Sequence, residues 1–337
     1  MRRWLPERAE RFTAIVLLTL GACGDGASTA PPVAPPPVVG PSAVAGAYVH
    51  EVVDVMQRGS INRHIIDWPA FRAKVVSAAS GAQRIPDTYP AIRVALSLLA
   101  DDHSLYLTPN GAILSASTKS CFAAPVAPSP PVPPSIGYVR VRGFSGSADE
   151  AVLFATRIQD SIRARDVGDL VGWIVDLRGN TGGNMWPMVA GVGPVLGEGV
   201  AGYFIDPDGV ATVWEYRGGA SWLEGSPLQR VAAPYALRRE DPRVAVLTDN
   251  GVASSGEAVA VSFRQRPGTR SFGSATCGLS TANLAYALSD GARLVLTVAV
   301  MADRKRTPYG AALQPDELIT TADRVVERAV AWLIDGR

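Results

Sequence analysis

The chain has 337 residues, 32 basic against 31 acidic side chains for a net charge of +1, 47% hydrophobic residues, 33 Gly, 26 Pro and 3 Cys. This apolar content suits a sizeable core in one large domain or two smaller ones, which excludes a disordered chain, and the neutral balance argues against a dedicated nucleic-acid binder. Lysine is scarce, occurring only as Lys74, Lys119 and Lys305.

Met1 to Arg11 carries Arg2, Arg3, Arg8 and Arg11 and runs into the apolar stretch 12–20. That stretch is too short to span a bilayer and is patterned as a secretory signal. Leu20-Gly21-Ala22-Cys23 resembles the lipobox of bacterial lipoproteins. The resemblance implies that residues 1–22 are removed and that Cys23 is lipidated, so acyl chains anchor the protein to a membrane without a transmembrane helix. The protein is then expected to be exported to the cell envelope, and Gly24 after the cysteine fits a periplasm-facing outer-membrane location in a Gram-negative source. Residues 23–44, with Pro31, Pro32, Pro35, Pro36, Pro37 and Pro41, read as an extended tether.

Residues 45–120 read as a small N-terminal helical subdomain. Val49, Val52, Val53 and Met56 recur at helical spacing, and 69–80 and 89–99 continue the pattern. Prolines between Pro125 and Pro134 mark a linker over 121–135. From Ile136 the pattern predicts strands at 136–141, 170–177, 200–205, 211–216, 243–248 and 293–301. Helices are predicted at 149–164, 184–196, 255–264 and 322–333. Strands alternating with helices predict an α/β fold class for 136–337, a layered domain with a largely parallel central sheet.

Three segments carry chemistry. Asp176-Leu177-Arg178-Gly179-Asn180-Thr181-Gly182-Gly183 follows an apolar strand and precedes a helix, and its glycines let backbone N–H groups face a ligand oxygen. Asn250-Gly251-Val252-Ala253-Ser254-Ser255-Gly256-Glu257 again joins a strand to a helix. A serine there gains exposure and the helix dipole, or serves as an N-cap with Glu257 completing a capping box. Asp101-Asp102-His103-Ser104 holds one of the three histidines; His50 and His64 have nothing polar patterned around them.

In chain order these segments resemble the C-terminal processing peptidase family, also known as tail-specific proteases, in its His-dependent branch with a tricorn-like core. The resemblance implies a ClpP/crotonase-like spiral core and makes Ser254 the nucleophile. It places an oxyanion hole at the N–H groups of Gly182 or Gly183 and of Ser255. Leu279 stands where many members carry a catalytic lysine, so His103 is the implied general base. Asp303 is the acid expected to orient it, with a surface salt bridge to Arg304 or Arg306 as its other reading. Ser104 is expected to add a hydrogen bond to the site, while Asp176 and Arg178 are expected to hold the turn. The segment between His103 and Ile136 is too short for the PDZ module that many members carry.

The implied activity is hydrolysis of a peptide or protein substrate by an exported, lipid-anchored serine peptidase. A non-catalytic ligand-binding module on the same fold and an esterase-type acyl hydrolase remain as alternatives. No cofactor is expected, and no metal, since His, Cys and carboxylates do not cluster at ligand spacing. Cys121 and Cys277 form an even pair in an oxidising compartment, for which a disulfide is one outcome. The sequence carries no reading of oligomeric state.

Overall fold

The computed structural model describes residues 39–121 and 132–336. The expected signal peptide, Cys23 and most of the tether and linker lie outside the described residues. The chain begins with three helices, α1 (Ala43–Gly59), α2 (Trp68–Ala78) and α3 (Tyr89–Leu98), and two short strands, β1 (Leu105–Leu107) and β2 (Ile113–Ser115). There follow β3 (Ile136–Arg140), α4 (Ala148–Arg165), β4 (Gly172–Asp176), α5 (Met185–Leu196), β5 (Gly199–Ile205), β6 (Ala211–Arg217), β7 (Ala220–Leu223) and β8 (Ser226–Arg230). Next come β9 (Val244–Thr248), α6 (Ser255–Phe263), β10 (Thr269–Gly273), β11 (Thr281–Ala287), β12 (Arg293–Ala302), β13 (Glu317–Leu318) and α7 (Ala322–Asp335).

The predicted parallel sheet is present, in the order β13-β10-β9-β4-β3 with every pairing parallel. Its central strands β4 and β9 are buried at every residue, which is why they read as unbroken apolar runs rather than alternating ones. One core packs Trp173, Val175, Val244 and Val246 against α4, α5 and α6. On the other face Ile174, Ala245, Leu247 and Phe272 meet Val325, Val326, Ala329 and Leu333 of α7.

A second, antiparallel sheet runs β2-β1-β12-β5-β6-β7-β8, with β11 added alongside β12. Its short, half-exposed strands give weak period-2 signals, and β1, β2, β7, β8 and β11 lie outside the strands that the pattern predicts. The predicted N-terminal helices are present, and they lie in one compact unit with the rest of the described chain. β1 pairs with β12 through Tyr106 and Leu294. Val52, Met56, Ile92 and Leu96 of the helices share a core with Leu294 and Leu296 of β12. Burying those side chains contributes roughly 1.5–3 kcal/mol each, so the helices depend on the second sheet for their partner. Cys121 and Cys277 are joined as a disulfide with Cα atoms 5.2 Å apart.

Candidate active site

β4 and β9 are neighbours in the parallel sheet, so the turns that leave their carboxyl ends lie side by side, the usual position for a site in an open α/β sheet. Three contacts fasten the turns together. Ala253 N–H donates to the Asn180 carbonyl at 3.0 Å, Gly179 N–H donates to Asp249 Oδ1 at 2.9 Å, and the Ser255 hydroxyl donates to the Gly183 carbonyl. Asp176 and Arg178 form an ion pair within the first turn. The buried guanidinium donates to both oxygens of the buried carboxylate, at 2.9 and 2.7 Å, the Arg178 N–H donates at 3.1 Å, and the Tyr138 hydroxyl adds a fourth bond at 2.8 Å.

Glycine is required where the two turns meet. At Gly182, with φ +97°, a Cβ would lie 2.8 Å from the Ala253 carbonyl oxygen and 2.9 Å from the Ser254 Cβ. The two glycine N–H groups differ in availability. Gly182 N–H already donates to Asn180 Oδ1 at 3.0 Å, which removes it as an oxyanion donor and corrects that half of the sequence expectation. Gly183 forms a parallel bridge with Phe144, made by Phe144 N–H to the Gly182 carbonyl and by Asn184 N–H to the Phe144 carbonyl. The Gly183 N–H therefore takes no part in the bridge. Ser255 N–H heads the first turn of α6 and is one of its orphan donors.

Ser254 sits immediately before α6 with φ +52° and ψ −120°, a conformation that costs a non-glycine residue of order 1–3 kcal/mol. The capping box weighed from sequence is present, the Ser254 side chain facing the Glu257 N–H and the Glu257 carboxylate accepting the Ser254 N–H. An accepted bond leaves the hydroxyl proton free, and the Ser254 hydroxyl donates to no group among the described residues. Ser255, by contrast, has its hydroxyl committed to Gly183. The buried Glu257 carboxylate fixes the Ser254 backbone, accepting its N–H at 3.0 Å. It also accepts from the Thr276 hydroxyl and from the N–H groups of Gly278 at 3.0 Å and Leu279 at 2.7 Å. Burial pushes the Glu257 carboxyl above the ordinary carboxylate range, opposed by those four donors. The turn where the resemblance leads one to expect a lysine is thus tied to the helix start, and Leu279 contributes its N–H instead.

His103 lies after α3, where Ala100 at φ +54° turns the chain. Asp101 Oδ1 accepts the N–H groups of His103 at 3.0 Å and Ser104 at 2.6 Å. Ser104 does not enter the site; its hydroxyl donates to Asp101 at 2.9 Å and accepts Thr297 N–H at 3.0 Å. Asp303 also departs from expectation. Its carboxylate accepts from Lys305 N–H at 2.9 Å, Thr307 N–H at 3.0 Å and the Tyr309 hydroxyl at 2.9 Å. The carboxylate closes its own turn, and neither Arg304 nor Arg306 pairs with it; Arg304 donates to the Ser262 carbonyl.

The group on the imidazole is Thr281, whose hydroxyl oxygen is 2.7 Å from Nδ1, and Asn283 Nδ2 donates to the His103 carbonyl at 2.9 Å. Both residues belong to β11, 178 and 180 positions away. Burial lowers the His103 pKa from 6.5 to about 4, against a smaller opposing pull from Asp101. The ring is therefore neutral at pH 7. Ser254, Ser255, Gly183, His103, Thr281 and Asn283 line one cleft of about 850 Å³, and no hydrogen bond joins His103 to Ser254 among the described residues. Trp186, Phe204, Leu223 and Met301 give the cleft an apolar wall. No group of three or more His, Cys, Asp or Glu suited to a metal occurs among the described residues.

Residues 135–319, more than half the chain, match peptidase family S41. The match contains both glycine- and serine-bearing turns and stops short of His103. The chain is 27% identical over 243 residues to the nisin-resistance protein of Lactococcus lactis subsp. lactis, covering 72% of this chain and 73% of that one. It is 28% identical over 166 residues to the chloroplastic carboxyl-terminal-processing peptidase 2 of Arabidopsis thaliana, which spans 49% of this chain and 28% of that one. Two solved structures share the fold. A lipoprotein from Streptococcus agalactiae superposes with a TM-score of 0.70 at 21% identity, covering 87% of this chain and 96% of that one. The photosystem II D1 C-terminal processing protease gives 0.55 at 16% identity, covering 84% and 96%.

Proposed function

The chain belongs to peptidase family S41, and on that footing we propose that it is a serine peptidase with Ser254 as nucleophile and His103 as general base. The observation that carries this reading is the state of Ser254. It sits at a strained φ of +52° ahead of a helix, its hydroxyl donating to no group among the described residues, in one cleft with a neutral imidazole.

With His103 Nδ1–H donating to Thr281, Nε2 carries the lone pair that takes the Ser254 proton. Ser254 Oγ bonds to the substrate carbonyl carbon, and the oxyanion that forms accepts from the N–H groups of Gly183 and Ser255. The peptide C–N bond then breaks as His103 returns the proton to the leaving amine, and water releases the acyl group by the reverse sequence. The base and nucleophile close to hydrogen-bond distance when substrate binds, since contacts of this kind are often long in an unliganded site.

The protein is further proposed to be exported and anchored through lipidated Cys23, on the sequence pattern alone; intact-mass spectrometry of the protein purified from membranes tests this. A fluorophosphonate probe tests the chemistry. Labelling is expected in wild type and in Ser255→Ala, and to be lost in Ser254→Ala and His103→Ala. A folded wild type that takes no probe favours a non-catalytic binding module, the reading that the missing hydrogen bond between His103 and Ser254 also supports.

A further inference from the structure

β11 pairs with β12 and with no other strand among the described residues. Its seven residues, Thr-Ala-Asn-Leu-Ala-Tyr-Ala, contain no charge, no lysine and no proline. Exposed edge strands ordinarily carry such residues, because a row of free N–H and C=O groups recruits other chains. The unguarded edge borders the cleft at Thr281 and Asn283, the two residues that hold His103.

The ladder fixes which backbone groups are free. Leu288 N–H donates to the Ala292 carbonyl, so in the register Ala287↔Arg293, Tyr286↔Leu294, Ala285↔Val295, Leu284↔Leu296 and Asn283↔Thr297 the hydrogen-bonded residues alternate. Leu284 and Tyr286 turn their N–H and C=O groups toward β12, and Asn283, Ala285 and Ala287 turn theirs outward. Met301 N–H on the Ser280 carbonyl agrees with this alternation beyond the irregularity at Ala282/Asn283. The three outward residues span about 14 Å of strand. Apolar side chains cluster nearby, where Leu284 is 56% and Leu228 43% exposed at the cleft.

We propose that the outer edge of β11 binds extended peptide backbone as an added strand, with alternate apolar side chains of the peptide on the cleft wall. The inference deepens the peptidase reading by naming its substrate form, an unfolded segment with alternating apolar residues. Binding itself needs no chemistry, so the test uses the Ser254→Ala protein.

The probe is a fluorescein-labelled octapeptide of alternating Leu and Ser, with affinity read by anisotropy. Ala285→Pro removes one outward donor without breaking a β11–β12 bond and is expected to weaken binding at least tenfold; its unchanged thermal midpoint certifies the fold. A second arm leaves the protein untouched: N-methylation of alternate peptide residues, in the two registers, is expected to give affinities at least tenfold apart. Equal affinities for the two registers, no loss in Ala285→Pro, or no binding of the unmodified octapeptide each overturns the proposal. The peptidase reading fails by a different result, a folded wild type that accepts no fluorophosphonate and cleaves no peptide.

Discussion

The two halves of the proposed catalytic pair are held in contrasting ways. Ser254 stands on a turn cross-braced to the neighbouring strand end, with Glu257 taking four donors beneath it. His103 is attached to a segment outside the matched family region, its ring oriented by one hydroxyl and its carbonyl by one amide, both from an edge strand. A nucleophile must keep fixed distance to its oxyanion donors, whereas a base tolerates a ring that swings into place. In the proposed mechanism, bracing is heaviest where the oxyanion would form and lightest where a proton would be passed.

Removing either member tests that contrast most severely. Ser254→Ala is expected to lower kcat by at least about 10³-fold, measured with a fluorogenic peptide. His103→Ala follows with about 10²–10⁴-fold in kcat/KM. Because the His103 pKa is lowered to about 4, the acid limb of kcat/KM should fall well below pH 6.5. The sign for stability is the same. The unfolded chain takes up this proton near pH 6.5 and the folded chain only near pH 4, so stability from the neutral ring is full above 6.5 and drains away as pH falls between them. Thermal midpoints across that window should slope less in His103→Gln.

The braced half responds mainly in stability. In Glu257→Gln the amide nitrogen replaces one oxygen, and each oxygen serves two donors. Two buried donors then face an NH₂, at a cost of at least about 2 kcal/mol in urea unfolding. The loosely held half responds mainly in rate. Thr281→Val removes a neutral hydrogen bond worth about 1 kcal/mol, about fivefold in kcat, and Thr281→Ser restores it with little change in thermal midpoint.

Much of the braced half was legible in the sequence, because its signals are local. Apolar runs flow into Gly-rich turns, and β4, β9 and α6 form where those runs predict. The proposed base, His103, was legible only through the resemblance carried by Asp101-Asp102-His103-Ser104, and its hydrogen-bond partner was not. Thr281 lies 178 residues from His103 in a half-exposed strand whose composition resembles a loop. Asp303 misled for a physical reason: a buried aspartate followed by turn residues meets its hydrogen-bond needs from its own backbone, Lys305 and Thr307. The antiparallel sheet was only partly foreseen, since pairings such as β1 with β12 join residues almost 190 apart.

The positive φ of Ser254 carries a consequence for how such a site is lost. Ala keeps the steric conflict while deleting the hydroxyl, whereas Gly relaxes both. Ser254→Gly should therefore unfold about 1 kcal/mol less readily than Ser254→Ala, a gap measurable by chemical denaturation. In a lineage released from hydrolysis but still selected for abundance, this position would drift toward glycine first. A glycine there in a distant descendant would mark a scaffold that has traded its reaction for durability.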